Sequence, residues 1–416
     1  MRNITILGAG QAGLQLAIGL QQQGYQVRLV TDRQPQDIEH GYVMSTQCMF
    51  HTALESERKL GLDFWQDDCP KIEAINLCIT APDNPVHIAI EWQGQLDNHA
   101  QSVDQRIKFP AWMTQFEELG GTLEFKTLSE QDLEHYASTS DLVIAATGKG
   151  NIGEMFTRDE QRSAFTQPQR HLSLFYVSHP QSGSQLDKVK FNVIPGIGEY
   201  FVMPVLGSSG PCEAMLFEAI PGGPMDCFDP NSSPQERFNK ARELLHTYLP
   251  WELERIDQVA LTDDKAALTG RFTPVVRNPV ATLPSGAAVL GLADAICLND
   301  PITGQGSNNA AKAAQIYLHS IIEQGDKPFD EEWMTATFEQ YWEQAQWVTQ
   351  WTNMMLSPPP PFVLNILGAA SQHQSLADRI TNAFDDPKDL FPWFADETEA
   401  ARYLSELSEN RVNSQT

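Results

Sequence analysis

Residues 4–33, ITILGAGQAGLQLAIGLQQQGYQVRLVTDR, constrain the fold of this chain more than any other stretch. A β-rich run leads into Gly8, Gly10 and Gly13. An apolar-periodic helix follows, closed by Gly24, and a second strand ends near Asp32. This is a βαβ unit and predicts a parallel sheet. The three glycines play different parts. Gly8 makes the tight turn, Gly10 lets the backbone approach a pyrophosphate, and Gly13 allows close packing of helix on strand. With Gln11 and Ala12 completing the turn, and Asp32 and Arg33 placed where a ribose is held, the segment reads as a dinucleotide site. The alternative is a glycine-rich turn that binds nothing.

A second glycine segment lies far along the chain. TLPSGAAVLGLADAICLNDPITGQGSNNAAKAAQIYLHSII, from Thr282, reads as a strand, then Asp294, then a glycine-containing loop and a long helix. It resembles the second FAD motif of the flavoprotein monooxygenases related to p-hydroxybenzoate hydroxylase. The resemblance implies FAD as cofactor. Asp294 would bind the ribityl or pyrophosphate part, with Pro301, Gly304, Gly306, Ser307 and Asn308 at the pyrimidine edge, mostly through backbone. The physics agrees, because reduced flavin carries negative charge at that edge and exposed N–H groups at a helix start stabilise it.

The implied fold is α/β: a Rossmann-type FAD-binding domain from residues 1–70, 100–165 and 275–325, interleaved with an antiparallel-sheet substrate domain from 71–99 and 166–274. Alternating stretches at 171–179, 188–194, 198–205 and 213–220 are the expected strands of that sheet. Residues 326–416 form an acidic helical region interrupted by four prolines at 358–361.

Between the two motifs, DLVIAATGKG (141–150) reads as a strand entering a glycine turn at Gly148. Single-component members of the resembled family carry an Asp-Gly pair here that serves both FAD and NAD(P)H, whereas this chain has Thr147-Gly148. With one nucleotide fingerprint and no such pair, no NAD(P)H site is expected, so the flavin would be reduced elsewhere. TDRQP, ATGKG, ITGQGSNNAAKAA and TQWTNMMLSPPPPF (349–362), in that order, resemble the oxygenase component of the two-component styrene and indole monooxygenases. That resemblance implies a separate NAD(P)H-dependent flavin reductase, O₂ and a small aromatic substrate.

Within that family the indole group carries Ser, Gln and Met at alternating positions, here Ser45, Gln47 and Met49, where the styrene group has Asn, Val and His. Ile72 and Ile75 match the indole group's aliphatic positions, and Ala100 stands where it has alanine for serine. The implied reaction epoxidises the C2=C3 bond of indole to give indoxyl, with dioxygen activated at the flavin's C4a atom. Styrene epoxidation is the alternative. Gln47 or Ser45 would accept the indole N–H in an otherwise apolar slot. The competing reading is that the three residues merely pack one side of a strand. No general base or covalent nucleophile is assigned. Tyr42 replaces an Arg that styrene-type members place near the flavin.

Charge and composition narrow the remaining classes. Lys and Arg number 28 against 54 Asp and Glu, a formal net charge of −26, which disfavours nucleic acid as a partner. The longest apolar stretch, from Ala287, is interrupted by Asp294 and is too short for a bilayer. No basic, apolar leader opens the sequence, and a cytoplasmic location is expected. Six cysteines without CxxC or Cys/His pairing point to reduced thiols and no metal site. The sequence is compatible with a homodimer. Two other classes stay open: an NAD-dependent dehydrogenase on the first fingerprint, and a non-catalytic flavin-binding protein.

Overall fold

A computed structural model describes residues 2–147, 151–179 and 186–413. Six strands build one sheet in the spatial order Val280–Thr282, Ala288–Gly291, Leu142–Ala145, Asn3–Leu7, Gln26–Thr31, Thr122–Phe125. Neighbours run parallel except at the outermost pair, Val280–Thr282 against Ala288–Gly291. The central strands are continuously buried, as Leu142–Ala145 shows, because helices cover both faces of a parallel sheet. From Asn3–Leu7 the chain steps to Gln26–Thr31 on one side, and Leu142–Ala145 lies on the other. The crevice at such a switch point opens above the carboxyl ends of the strands, where Gly8 stands.

The helix Gln11–Gln22 and the helix Gly306–Gln324 pack against each other on this sheet. A side chain at Gly19 would stand 2.6 Å from Leu318 Cδ2, so the glycine sets how closely they approach. Segments almost 300 residues apart in sequence thereby present their N-termini to one crevice.

The second sheet runs Ala260–Leu261, His171–Ser178, Gly210–Ala219, Gly198–Gly207, Lys188–Ile194, Lys71–Ala81, Asn84–Gln101, with Ala267–Gly270 also paired to His171–Ser178. It is antiparallel as expected, except that Lys71–Ala81 and Lys188–Ile194 run parallel. The 71–101 hairpin reaches the sheet from earlier in the chain, and no tight turn forces those two strands to oppose one another.

Alternation gives this sheet two apolar faces. Phe175, Val177, Val202, Met215 and Phe217 pack on the helix Pro234–Tyr248. Leu174, Tyr176, Met203, Val205 and Ala214 belong to a second core with Ile72, Ile75 and the C-terminal helices. Each fully buried aromatic or aliphatic side chain contributes about 1.5–3 kcal/mol. Helix Pro234–Tyr248 begins where Ser233 and Glu236 form a reciprocal capping box ahead of Pro234. The C-terminal helices are Glu331–Met355, Pro361–Ala370, Gln374–Asn382 and Glu397–Asn413. Pro361 opens the second of these at its first position. No helix among the described residues is long and apolar enough to cross a membrane.

Candidate active site

The first turn has the geometry a pyrophosphate requires. Gly8 takes φ +109°, outside the range of ordinary side chains, and a Cβ there would meet Thr147 Cγ2 at 2.8 Å. At Gly13 a Cβ would stand 1.9 Å from the Gly8 carbonyl oxygen, so helix and turn touch backbone to backbone. A Cβ on Gly10 would meet nothing within 4 Å. Gly10 is therefore the point where open space reaches the backbone. It is also the helix N-cap, and having no side chain of its own it leaves the first N–H groups without a side-chain cap among the described residues. Asp32 and Arg33 follow the strand Gln26–Thr31, exposed and 3.8 Å apart. Gly148 lies outside the described residues; among those described, the buried Thr147 hydroxyl beside the turn has no hydrogen-bond partner.

The second turn repeats the pattern. Ala293 adopts a left-handed backbone, φ +52°, and Asp294 follows it in the turn Ala293–Ala295. A turn over Pro301–Thr303 ends at Gly304, φ +64°, and the long helix starts at Gly306 with no side-chain cap. Neither Gly304 nor Gly306 has an atom within 4 Å of a notional Cβ. Two uncapped helix starts, each approached through glycine and open space, fit the two ends of a dinucleotide such as FAD. Asn308 departs from the expectation of backbone contact in one respect. Its side chain faces the protein, with Nδ2 donating to Cys48 O at 2.7 Å and Oδ1 accepting from Phe50 N at 2.9 Å.

Behind the first turn lies a buried polar chain that the sequence did not reveal. Lys108 Nζ donates to Glu57 Oε1 at 2.6 Å, Gln11 Nε2 donates to the same oxygen at 2.9 Å, and Gln15 Nε2 donates to Ser56 Oγ at 2.9 Å. All five residues are buried. They tie three helices together: Gln11–Gln22, His51–Arg58 and Gln105–Glu118. Nothing in the local sequence signals it, because the partners lie some 50 residues apart and meet only when the helices pack.

The residues expected to form one substrate slot are not brought together on one side. Met49 bridges Gln101, and Ile72 faces Ala100 in the neighbouring ladder. Gln101 and Ala100 are adjacent in one strand and so point to opposite sides. Ile72, Ile75 and Ala100 are fully buried in the core that also holds Cys48 and Phe50. Gln47 and Met49 face the other way, onto a cavity of about 20 Å³ whose wall combines Leu54, Leu62 and Trp65 with the polar Glu57, Arg58 and Lys108. That volume holds about one water, not an aromatic ring. Ser45 is exposed, with its hydroxyl on the Thr46 carbonyl at 3.2 Å. Tyr42 is also exposed.

Gln47 carries the most informative single geometry. Its Nε2 donates to Val103 O at 2.9 Å, and a carbonyl can only accept, so the orientation of the amide is fixed. Its Oε1 is buried and has no hydrogen-bond partner among the described residues. The side chain thus holds an unused acceptor beside a small cavity of mixed lining, in which Glu57, Arg58 and Lys108 stand with the apolar side chains. A separate cleft of about 570 Å³ opens beside Phe50 and His51, where Asp97, Asp378, Asp385, Asp386 and Asp389 stand with Leu96, Arg379 and Ala383.

Residues 148–255 match the family model described as "Styrene monooxygenase A putative substrate binding domain". The chain is 27% identical over 418 residues to a styrene monooxygenase StyA of a Pseudomonas species, covering 98% of each. It is 28% identical over 399 residues to the StyA of Pseudomonas fluorescens, covering 93% of this chain and 94% of that one. Among solved structures it is similar to the flavin-dependent brominase Bmp2, with a TM-score of 0.66 and 12% identity over 98% of this chain and 99% of that one. The structural likeness supports the p-hydroxybenzoate hydroxylase-like fold. Taken with the two uncapped glycine turns, the full-length sequence relatives support an FAD-dependent flavoprotein monooxygenase, a chain similar along its whole length to styrene monooxygenases.

Proposed function

We propose that this oxygenase epoxidises indole at C2=C3 to give indoxyl, using reduced FAD delivered by a separate NAD(P)H-dependent flavin reductase and O₂. The observation that carries the reading is the buried Oε1 of Gln47, which has no partner among the described residues. An indole N–H enclosed in an apolar slot without an acceptor costs about 1–3 kcal/mol, and styrene has no such group to satisfy. The names of the two full-length relatives favour styrene as the second reading.

In this mechanism Gly8, Gly10, Gln11, Ala12 and Gly13 hold the pyrophosphate, Asp32 and Arg33 the ribose, and Asp294 with the Pro301–Asn308 turn the flavin end. When bound, reduced FAD and O₂ supply the electrophilic oxygen. The protein contributes position and dryness. Gln47 fixes the ring through its N–H. Met49 and its neighbours must shift to enlarge the small cavity, which the flexible thioether allows at low cost. Ile72, Ile75 and Ala100 pack behind the 45–50 segment and set its shape.

Gln47→Val removes the acceptor and leaves the rest of the wall unchanged. With one reductase and saturating reduced FAD, kcat/KM for indole should fall about tenfold to thirtyfold relative to styrene. Wild-type protein that epoxidises styrene at least as efficiently as indole, or an unchanged ratio in the variant, hands the assignment to styrene.

A further inference from the structure

Glu218 projects from the face of the second sheet opposite to Phe217 and Ala219, and it is fully buried. Among the described residues, neither of its carboxyl oxygens receives a hydrogen bond from any N–H or O–H. Directly across the ladder stands Glu199, whose two oxygens are taken by Arg170, Nε at 2.7 Å and Nη2 at 2.9 Å. Among the described residues, the side chain that hydrogen-bonds with Glu218 is another carboxyl, that of Asp300. Asp300 is buried too, and its Oδ1 accepts the Ile302 N–H at 3.2 Å, which starts the Pro301–Thr303 turn. Three carboxyl groups thus surround one guanidinium, and that guanidinium is committed. Two ionised carboxylates offer only acceptors, so a hydrogen bond between them requires a proton.

We propose that Glu218 and Asp300 share one proton, and that this proton fastens the second sheet to the Asp300–Gly304 turn, making Glu218 a positioning residue for the flavin-facing segment. The inference rests on the reading above that this turn faces the flavin. With the proton on Glu218, Asp300 remains an acceptor for both the Glu218 O–H and the Ile302 N–H, and the cluster carries one unit of negative charge less. Burial first, then the neighbouring Asp300 and Glu199 charges, drive the Glu218 pKa well above the carboxylate range. Burial likewise pushes Asp300 up to about 6, against the opposing pull of the Ile302 N–H and Arg170. The charged groups acting on the pair are Arg170 and Glu199. Folded-state values raised above the unfolded ones mean that the fastening is complete on the acid side and is lost as pH rises through the folded values. Cofactor binding, which needs the turn in place, should weaken in the same direction.

Infrared spectroscopy of the purified protein at neutral pH should show a protonated-carboxyl C=O band that shifts in D₂O and disappears in Glu218→Gln. Fluorescence titration with FAD should show wild-type affinity falling as pH rises from 6 to 9, by about tenfold per unit by which FAD binding raises the pair's pKa. Glu218→Gln, neutral throughout and still able to donate to Asp300, should bind FAD with affinity nearly independent of pH. Absence of the band in wild-type protein overturns the shared proton, and that outcome depends on neither a variant nor flavin. A band that persists in Glu218→Gln, or a variant whose FAD affinity follows the wild-type pH profile, also overturns the proposal. Failure of wild-type protein to bind FAD at any pH instead counts against the reading of the turn. If Glu218→Gln does not fold, Asp300→Asn is held to the same two readouts.

Discussion

Asn308 holds Phe50 from across the crevice: the carboxamide Oδ1 of Asn308 accepts the Phe50 N–H at 2.9 Å, while its Nδ2 reaches the Cys48 carbonyl at 2.7 Å. The start of one helix thereby fixes the 45–50 segment as a backbone ladder would. Both contacts are buried, so neither partner is replaced by water when the side chain is removed. Asn308→Ala should destabilise the protein by about 2–4 kcal/mol, from two orphaned backbone groups. Urea denaturation measures this, and FAD titration of the same variant should show weaker binding. A variant as stable as the wild type would mean that the segment holds itself.

The glycines of the first turn should separate binding from folding. Gly10→Ala places a methyl in open space, so thermal stability should stay within about 0.5 kcal/mol of wild type, while FAD affinity falls at least about tenfold because the pyrophosphate loses its close approach. Gly13→Ala forces a Cβ to 1.9 Å from the Gly8 carbonyl oxygen and should lower stability itself. Normal FAD binding by Gly10→Ala would remove this turn from the cofactor site.

Lys108 and Glu57 form an ion pair almost sealed from solvent. Lys108→Met leaves the carboxylate of Glu57 buried with only Gln11 as donor and should cost about 3–5 kcal/mol. The double variant Lys108→Met with Glu57→Gln should recover most of that loss, because the penalty is for an unpaired charge and not for lost attraction. Chemical denaturation of the three proteins decides it: additive losses would mean that lost attraction dominates.

Turnover should require a second protein. NADH with the isolated oxygenase should give no product, while NADH, FAD and an unrelated flavin reductase should. Blue indigo from indole, with peroxide release followed alongside, is the readout. Direct NADH oxidation by the purified chain would refute the two-component reading.

Local signals carried much of this architecture. The fingerprint at Gly8, Gly10 and Gly13 specifies its own turn, since a positive φ, an open approach and a backbone-to-backbone contact each exclude a side chain. The strands at His171–Ser178, Lys188–Ile194, Gly198–Gly207 and Gly210–Ala219 were legible from alternation, because one residue step moves a side chain from one face of a sheet to the other. The helix at Gly306 was legible from the glycine loop before it.

What only the tertiary structure decided are meetings between distant segments. The Met49–Gln101 bridge determines that Gln47 and Met49 look away from Ile72, Ile75 and Ala100. No alternation within residues 45–49 could reveal this, since side depends on which strand the segment joins and in what register. Glu57 finds Lys108, and Glu218 meets Asp300, across gaps that carry no pattern of their own. The sequence by itself determines where the backbone must turn and which faces are apolar, because those follow from sterics and solvent over a few residues. Which charges share a buried site follows from packing of whole elements, and there a carboxyl's partner is fixed by geometry that its neighbours in sequence do not encode.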